Sequence, residues 1–207
     1  MPVEMRQQLI GYGPDMAKRI AHAKELLAAY EKEKGKIDWS KIKIQCSTNI
    51  KFSCENAQVV QQLLKKINVN FEIEPMLVAQ HRGNEVSGNY ILSLLGAAVD
   101  FDDPIDSFGQ WFVTKGGRWY QRHSLPDLDK LFEQQKFTAD LAARKKLIWD
   151  MDKLAMNDAA YLVLHWFDLN HVRWNFVKGW TLTPNVRSTN ARMDYVWLDL
   201  PELPHAR

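Results

Sequence analysis

An apolar run from Tyr90 to Val99 breaks off into Asp100-Phe101-Asp102-Asp103-Pro104, and this boundary constrains the chain more than any other segment. A continuous apolar run closed by charges and a proline predicts a buried central strand, here residues 90–98, that ends in an acidic loop. In open α/β sheets, ligands are met just beyond the carboxyl ends of such strands. The loop therefore reads as the binding edge of a lobe, with Asp100 as its first charge.

The segments before this boundary supply partners for that strand. Gly13-Pro14-Asp15 opens a helix in which Met16, Ile20, Ala23, Leu26, Leu27 and Tyr30 recur at helical spacing until Gly35. Residues 41–48 alternate as a strand, and Ser53 stands where it can cap a helix striped with Val59, Val60, Leu63, Leu64 and Ile67. Val69, Phe71, Ile73 and Pro75 alternate with polar residues in a second strand. Strand, helix and strand in this order form a βαβ unit and predict parallel pairing. Gly83 to Gly88 reads as a turn before the apolar run.

After the acidic loop, Ile105 to Phe112 predicts a short helix and Lys115-Gly116-Gly117-Arg118 a flexible link. Helices are expected near 126–135 and 139–157. Tyr161–Trp166 reads as a strand, Val172–Phe176 as another, and the prolines beyond Trp180 as a tail running over something else.

Composition narrows the function classes. A net charge of +2 with acids and bases interleaved gives no reason to invoke nucleic acid or an anionic membrane. No apolar stretch reaches the length of a membrane span, and residues 1–30 lack the pattern of a signal peptide. Cys46 and Cys54 make no framework; two free thiols are the expectation, and a local disulfide in an oxidising compartment is the alternative. No nucleophile is flanked by a recognisable base or oxyanion motif, so an enzyme is the weaker class.

Several short motifs occur in a telling order. Gly11-Tyr12-Gly13-Pro14-Asp15 with Ala23-Lys24-Glu25-Leu26-Leu27 resembles G-Y-D-P … A-K-x-L-L. Gly96 to Pro104 resembles G-W-x-x-D-Y-P-D-P, and Ser124-Leu125-Pro126-Asp127-Leu128-Asp129 resembles S-N-P-E-V-D. Asp140 with Arg144, Tyr161 to His165, and Val177-Lys178-Gly179-Trp180 look like D-P-x-E-R, P-Y-I-P-L-Y and V-K-G-F. Together they resemble the C-terminal part of the large bacterial extracellular solute-binding proteins of family 5, which feed peptides, nickel chelates and related solutes to ABC importers.

That resemblance implies an α/β lobe of the type II periplasmic binding protein fold, with a mixed or mostly parallel sheet flanked by helices. It implies capture of a small solute between two lobes, delivery to a membrane permease, no cofactor, and a monomeric receptor in the bacterial envelope. It places Asp100 on the aspartate that would hold a ligand ammonium, and Phe101 on the tyrosine beside it. Ala97 replaces the family's tryptophan and Asp102 its first loop proline, which removes a flat stacking wall and adds a charge. Members are more than twice this length, so the chain is expected to be a truncated receptor. Residues 1–37 would lead in from a missing lobe, 38–178 form the ligand-binding lobe, and 179–207 return toward the missing one. The alternative is a stand-alone lobe that binds a protein partner or itself.

Other residues keep two uses open. Trp111, Trp119 and Tyr120 pack in a core or between lobes, or stack on ligand. Arg118 and Arg122 are solvated charges or partners of a ligand carboxylate. Asp100, Asp102, Asp103 and Asp106 lack the spacing of a calcium loop, so helix capping by Asp103 or Asp106 is the better use of the later two, and the spacing of His165 and His171 makes a metal pair the lesser reading.

Overall fold

The computed structural model describes residues 1–9, 11–50, 52–96, 103–165, 170, 172–180 and 193–200. Along the chain run α1 (Val3–Arg6), α2 (Met16–Lys34), β1 (Lys43–Ser47), α3 (Ser53–Leu64), β2 (Glu72–Met76), α4 (Val78–Ser87) and β3 (Leu92–Leu94). Then come α5 (Pro104–Ser107), α6 (Pro126–Lys136), α7 (Leu141–Asp158), β4 (Val177–Lys178) and β5 (Trp197–Leu198). The chain divides into two units, one of Met1–Ala97 with Phe108–Leu162 and one of Ala98–Ser107 with Val163–Arg207.

The first unit carries a parallel sheet in the order β2-β1-β3. Parallel pairing, read from the βαβ pattern, is what the structure has. The centre of the sheet differs from expectation. β1 is central and β3 is a short edge strand, with Leu92 37% exposed and Ile91 62% exposed. Ile44, Gln45, Cys46 and Ser47 are all buried, so β1 fills both faces of the sheet, and among the described residues of the Tyr90 run only Leu94 is buried. On the other side β2 aligns Pro75 with Cys46 and forms the opposite edge.

One apolar cluster joins Ile44, Cys46, Ala57, Val69, Phe71 and Leu94, with α3 laid over the sheet. A second gathers Phe108, Leu128, Phe132, Met151 and Ala155 between α6 and α7. The Asp15 carboxylate accepts the Lys18 amide at 3.0 Å to cap α2, and Gly35 ends that helix at φ 91°. α7 ends differently, on Ala159 at φ 58°. An L-residue with a Cβ is disfavoured there, so Ala159→Gly is expected to raise stability by about 0.5–1 kcal/mol, read as a higher urea midpoint.

Several expectations are corrected. Gly83 to Gly88 is no turn: residues 78–87 form α4, the crossover that parallel strands β2 and β3 require. Ser53 does not cap α3; it is the first helical residue, behind Phe52 at φ 74°. Lys115–Arg118 is a hydrogen-bonded turn, since the amides of Gly116 and Arg118 donate to Val113 and Gln110 carbonyls at 2.9 and 2.8 Å. Cys46 and Cys54 are not free thiols but a disulfide. Neither the described residues 161–165 nor 172–176 form a strand; the Tyr161 ring is taken up by aromatic packing instead.

In the second unit, Asp103 accepts the Ile105 amide at 2.9 Å, a capping role of the kind read from sequence, and α5 follows. β4 and β5 pair antiparallel. No helix among the described residues is long and apolar enough to cross a membrane.

Candidate functional site

The strand order reverses the direction of the crossovers at the central strand. β1 leads through α3 to β2 on one side, whereas β2 leads through α4 back past β1 to β3 on the other, so the two crossovers run in opposite directions across the sheet. Such a switch point is where open α/β sheets meet ligands. Leu94, the last residue of β3, pairs with Cys46. Beyond that pair, the Ser53 hydroxyl donates to the Leu94 carbonyl at 3.0 Å and accepts the Ser47 amide at 2.9 Å. It stands in for the next rung of the ladder and holds the parting strands together.

The rim is tied down from the β2 side as well. The Asn49 carboxamide oxygen accepts the Val78 amide at 2.9 Å and caps α4, whose N-cap residue Leu77 has no side chain able to do so. The Thr48 amide and hydroxyl both donate to the Met76 carbonyl, at 2.9 and 3.3 Å. Thr48, Ile50, Glu55, Gln58 and Pro75 line a shallow cleft of about 280 Å³ at this edge. The Cys46–Cys54 disulfide closes the β1–α3 turn from behind.

A buried polar chain ties α4 to β1 and β3. Ser47 Oγ is 2.8 Å from His81 Nδ1, His81 Nε2 is 2.8 Å from Ser93 Oγ, and Ser93 donates to Glu85 Oε1 at 2.6 Å. Arg82 donates to Glu85 Oε2 at 2.9 Å. Because a carboxylate only accepts, the Ser93 proton points to Glu85 and its oxygen takes the His81 Nε2–H. His81 is then the Nε2–H tautomer, and its Nδ1 accepts from Ser47. Burial holds the His81 imidazole below its ordinary value; Glu85 pulls the other way and Arg82 adds to the effect. Ser47 resembles a nucleophile beside a base, but Ser47 and His81 are 1% and 0% exposed, so no substrate reaches them.

Trp111 lies in a π-helical turn, Phe108–Phe112, closed by the Val113 amide on the Phe108 carbonyl at 3.0 Å. Its ring is buried and meets Tyr120 and Tyr161 edge-on at 5.9 and 6.0 Å, with the Arg118 guanidinium 5.2 Å above its face. The Tyr161 hydroxyl donates to the Arg118 carbonyl at 3.2 Å, and burial, with Tyr90 second, raises its pKa far above the ordinary value. Arg122 donates to the Val86 carbonyl at 2.8 Å, at the end of α4, and the Trp119 indole donates to the His123 carbonyl at 2.7 Å.

Ala97, Asp100, Phe101 and Asp102 lie outside the described residues, as does His171. Among the described residues no group of His, Cys, Asp and Glu is arranged as a metal site. Sequence reasoning missed the Ser47–His81–Ser93–Glu85 chain. His81 and Glu85 stand four apart, the spacing of neighbours on one helical face, and that was the available signal.

Comparison with known proteins agrees with this architecture. Residues 4–119 match the family described as bacterial extracellular solute-binding proteins, family 5 Middle. A curated relative, the probable D,D-dipeptide-binding periplasmic protein DdpA of Escherichia coli strain K12, is 23% identical over 167 residues, covering 75% of this chain and 32% of that protein. Among solved structures, OppA of Burkholderia pseudomallei superposes with a TM-score of 0.72 at 20% identity, over 83% of this chain and 33% of the other. Haemophilus influenzae OppA in complex with RPPGFSPFR gives 0.60 at 19% identity, over 77% and 32%. The chain thus spans about a third of the length of the proteins it matches.

Proposed function

Since the chain belongs to the bacterial extracellular solute-binding proteins of family 5, we propose that it is part of the receptor of an ABC importer. It contributes one lobe, and a peptide-like or other small polar or cationic solute is captured between that lobe and a second by hinge closure. The loaded receptor then delivers the solute to a permease in the membrane, without chemical change. The observation that carries this reading is the family match over the same residues that build the switch-point sheet.

The disulfide supports a place in the oxidising bacterial envelope, the periplasm or cell exterior, where such bonds persist. In this reading residues 38–178 form the solute-facing lobe, residues 1–37 lead into it and 179–207 run back toward the second lobe. The receptor acts as a monomer.

Asp100 receives the ammonium of the solute, flanked by Phe101 and Asp102, and Ala97 leaves the room that a tryptophan would fill. Trp111 offers the solute an aromatic contact, with the Arg118 guanidinium above its ring. A small residue at 97 and an added carboxylate at 102 favour a solute bulkier or more cationic than a simple dipeptide. The peptide bound by the Haemophilus relative carries arginine at both ends.

The charge argument is tested in a receptor containing both lobes. Asp100→Asn is expected to weaken a cationic peptide by about 2 kcal/mol, roughly thirty-fold in Kd, as a charge-assisted hydrogen bond is lost. Calorimetric titration reads the change; an unaltered Kd would remove Asp100 from the site.

A second reading rests on exposed apolar side chains on the sheet-bearing unit, where Leu77, Val86 and Ile91 are 63%, 62% and 62% exposed. There the lobe serves as a protein-interaction module or self-associates, and sedimentation over a concentration series separates it from the first.

A further inference from the structure

We propose that the Ser47–His81–Ser93–Glu85 chain is a proton-sensitive latch that holds α4 to the carboxyl ends of β1 and β3 and lets go when His81 takes up a second proton. This goes beyond the transport reading and does not depend on it.

The geometry gives the latch one stable state. Every polar hydrogen of the chain has a direction: Ser47 O–H to His81 Nδ1, His81 Nε2–H to Ser93, and Ser93 O–H to Glu85, which Arg82 braces. A proton on Nδ1 turns that nitrogen from acceptor into donor. The Ser47 hydroxyl then faces a donor and must redirect its own proton in a position only 1% exposed. The strain falls on the residue that ends β1, whose amide is held by Ser53 at the switch point.

The charges around His81 decide the direction. On its own helix, Glu85 lies 3.9 Å from Nε2 and favours the imidazolium, whereas Arg82 opposes it. From β1 and β2, Gln45 links the Asn84 carboxamide to Glu74, at 3.1 and 3.0 Å, and so sets a carboxylate two bonds away from α4. Tyr90, ahead of β3, is neutral and its pKa is raised, chiefly by burial; Tyr161 behaves alike, and Arg122 is bonded to the end of α4. With His81 fully buried, burial outweighs Glu85 and the neutral ring is the folded form.

A histidine that titrates lower when folded than when unfolded contributes stability that is present above 6.5 and lost as pH falls below it. While one proton separates the closed and open states, the opening constant grows by up to about ten-fold per pH unit. The experiment is amide exchange of α4 by NMR at about pH 7.5 and about pH 5.5, corrected for intrinsic rates, with the His81 ring followed in the same samples.

The latch requires α4 amides to lose protection by roughly ten-fold at the lower pH while α7 keeps its own, with the ring titrating below 6.5. His81→Gln, which keeps a donor and an acceptor but cannot titrate, is expected to abolish the difference. If that variant does not fold, Ser47→Ala serves: it should open α4 already at the higher pH and flatten the response. Equal protection of α4 at both values, or a His81 that titrates at or above 6.5, overturns the proposal.

Discussion

Cys54→Ser is expected to cost the sheet-bearing unit about 2.5 kcal/mol, seen as a lower urea midpoint that matches the parent protein under reductant. The two cysteines are eight residues apart. Cross-linking so short a loop removes denatured-state entropy on that order in the chain-entropy account. Substituting the half-buried Cys54 leaves Cys46, which is fully buried on β1, in place as a small apolar side chain. The loss then reports the cross-link and not a new cavity. A midpoint that is insensitive to both the substitution and reductant would show that Thr48, Asn49 and Ser53 hold the turn without help from sulfur.

The second large effect is Leu128→Ala, for which a loss of about 3 kcal/mol is expected. Leu128 is fully buried among Phe108, Phe132, Met151 and Ala155, so the vacated space has no route to solvent and only partial means of collapse. Leu128→Met should cost under about 1.5 kcal/mol, because it keeps the volume. Phe108 opens the π-helical turn that carries Trp111, so near-ultraviolet dichroism of the aromatic cluster should weaken in the alanine variant alone. An alanine variant as stable as the methionine one would mean that α6 and α7 close the gap by moving together.

Long periodic segments are legible in the sequence. α2, α3, α6 and α7 lie within a few residues of where apolar spacing, Asp15, Gly35 and Pro126 put them. The order of β1 and β2 followed from alternation, and parallel pairing from the helix between them. α4 was hidden because Gly83 interrupts a polar stretch of weak helical preference. What holds that stretch helical is tertiary, namely the buried His81 and Glu85. The prediction of parallel strands already contained the missing helix, because a parallel return needs a crossover.

Burial of the Tyr90 run was misjudged for a related reason. Apolar character does not distinguish a central strand from an edge strand; the residues on β1 made that choice. At the site, Trp111 was placed among candidates by its distance in sequence from the acidic loop, and the structure puts it in an aromatic cluster under Arg118. Its use toward a solute stays a proposal, as do those of Ala97, Asp100, Phe101 and Asp102.

Pro75 has a bearing on solubility. The Glu72 amide and the Met76 carbonyl are bonded to the β1 side, so in the parallel ladder Ile73 and Pro75 direct their backbone toward the outer edge of β2. At that edge an incoming chain would look for a donor and find a pyrrolidine ring, beside the charges of Glu72 and Glu74. The sheet thus resists extension by stray strands on that side.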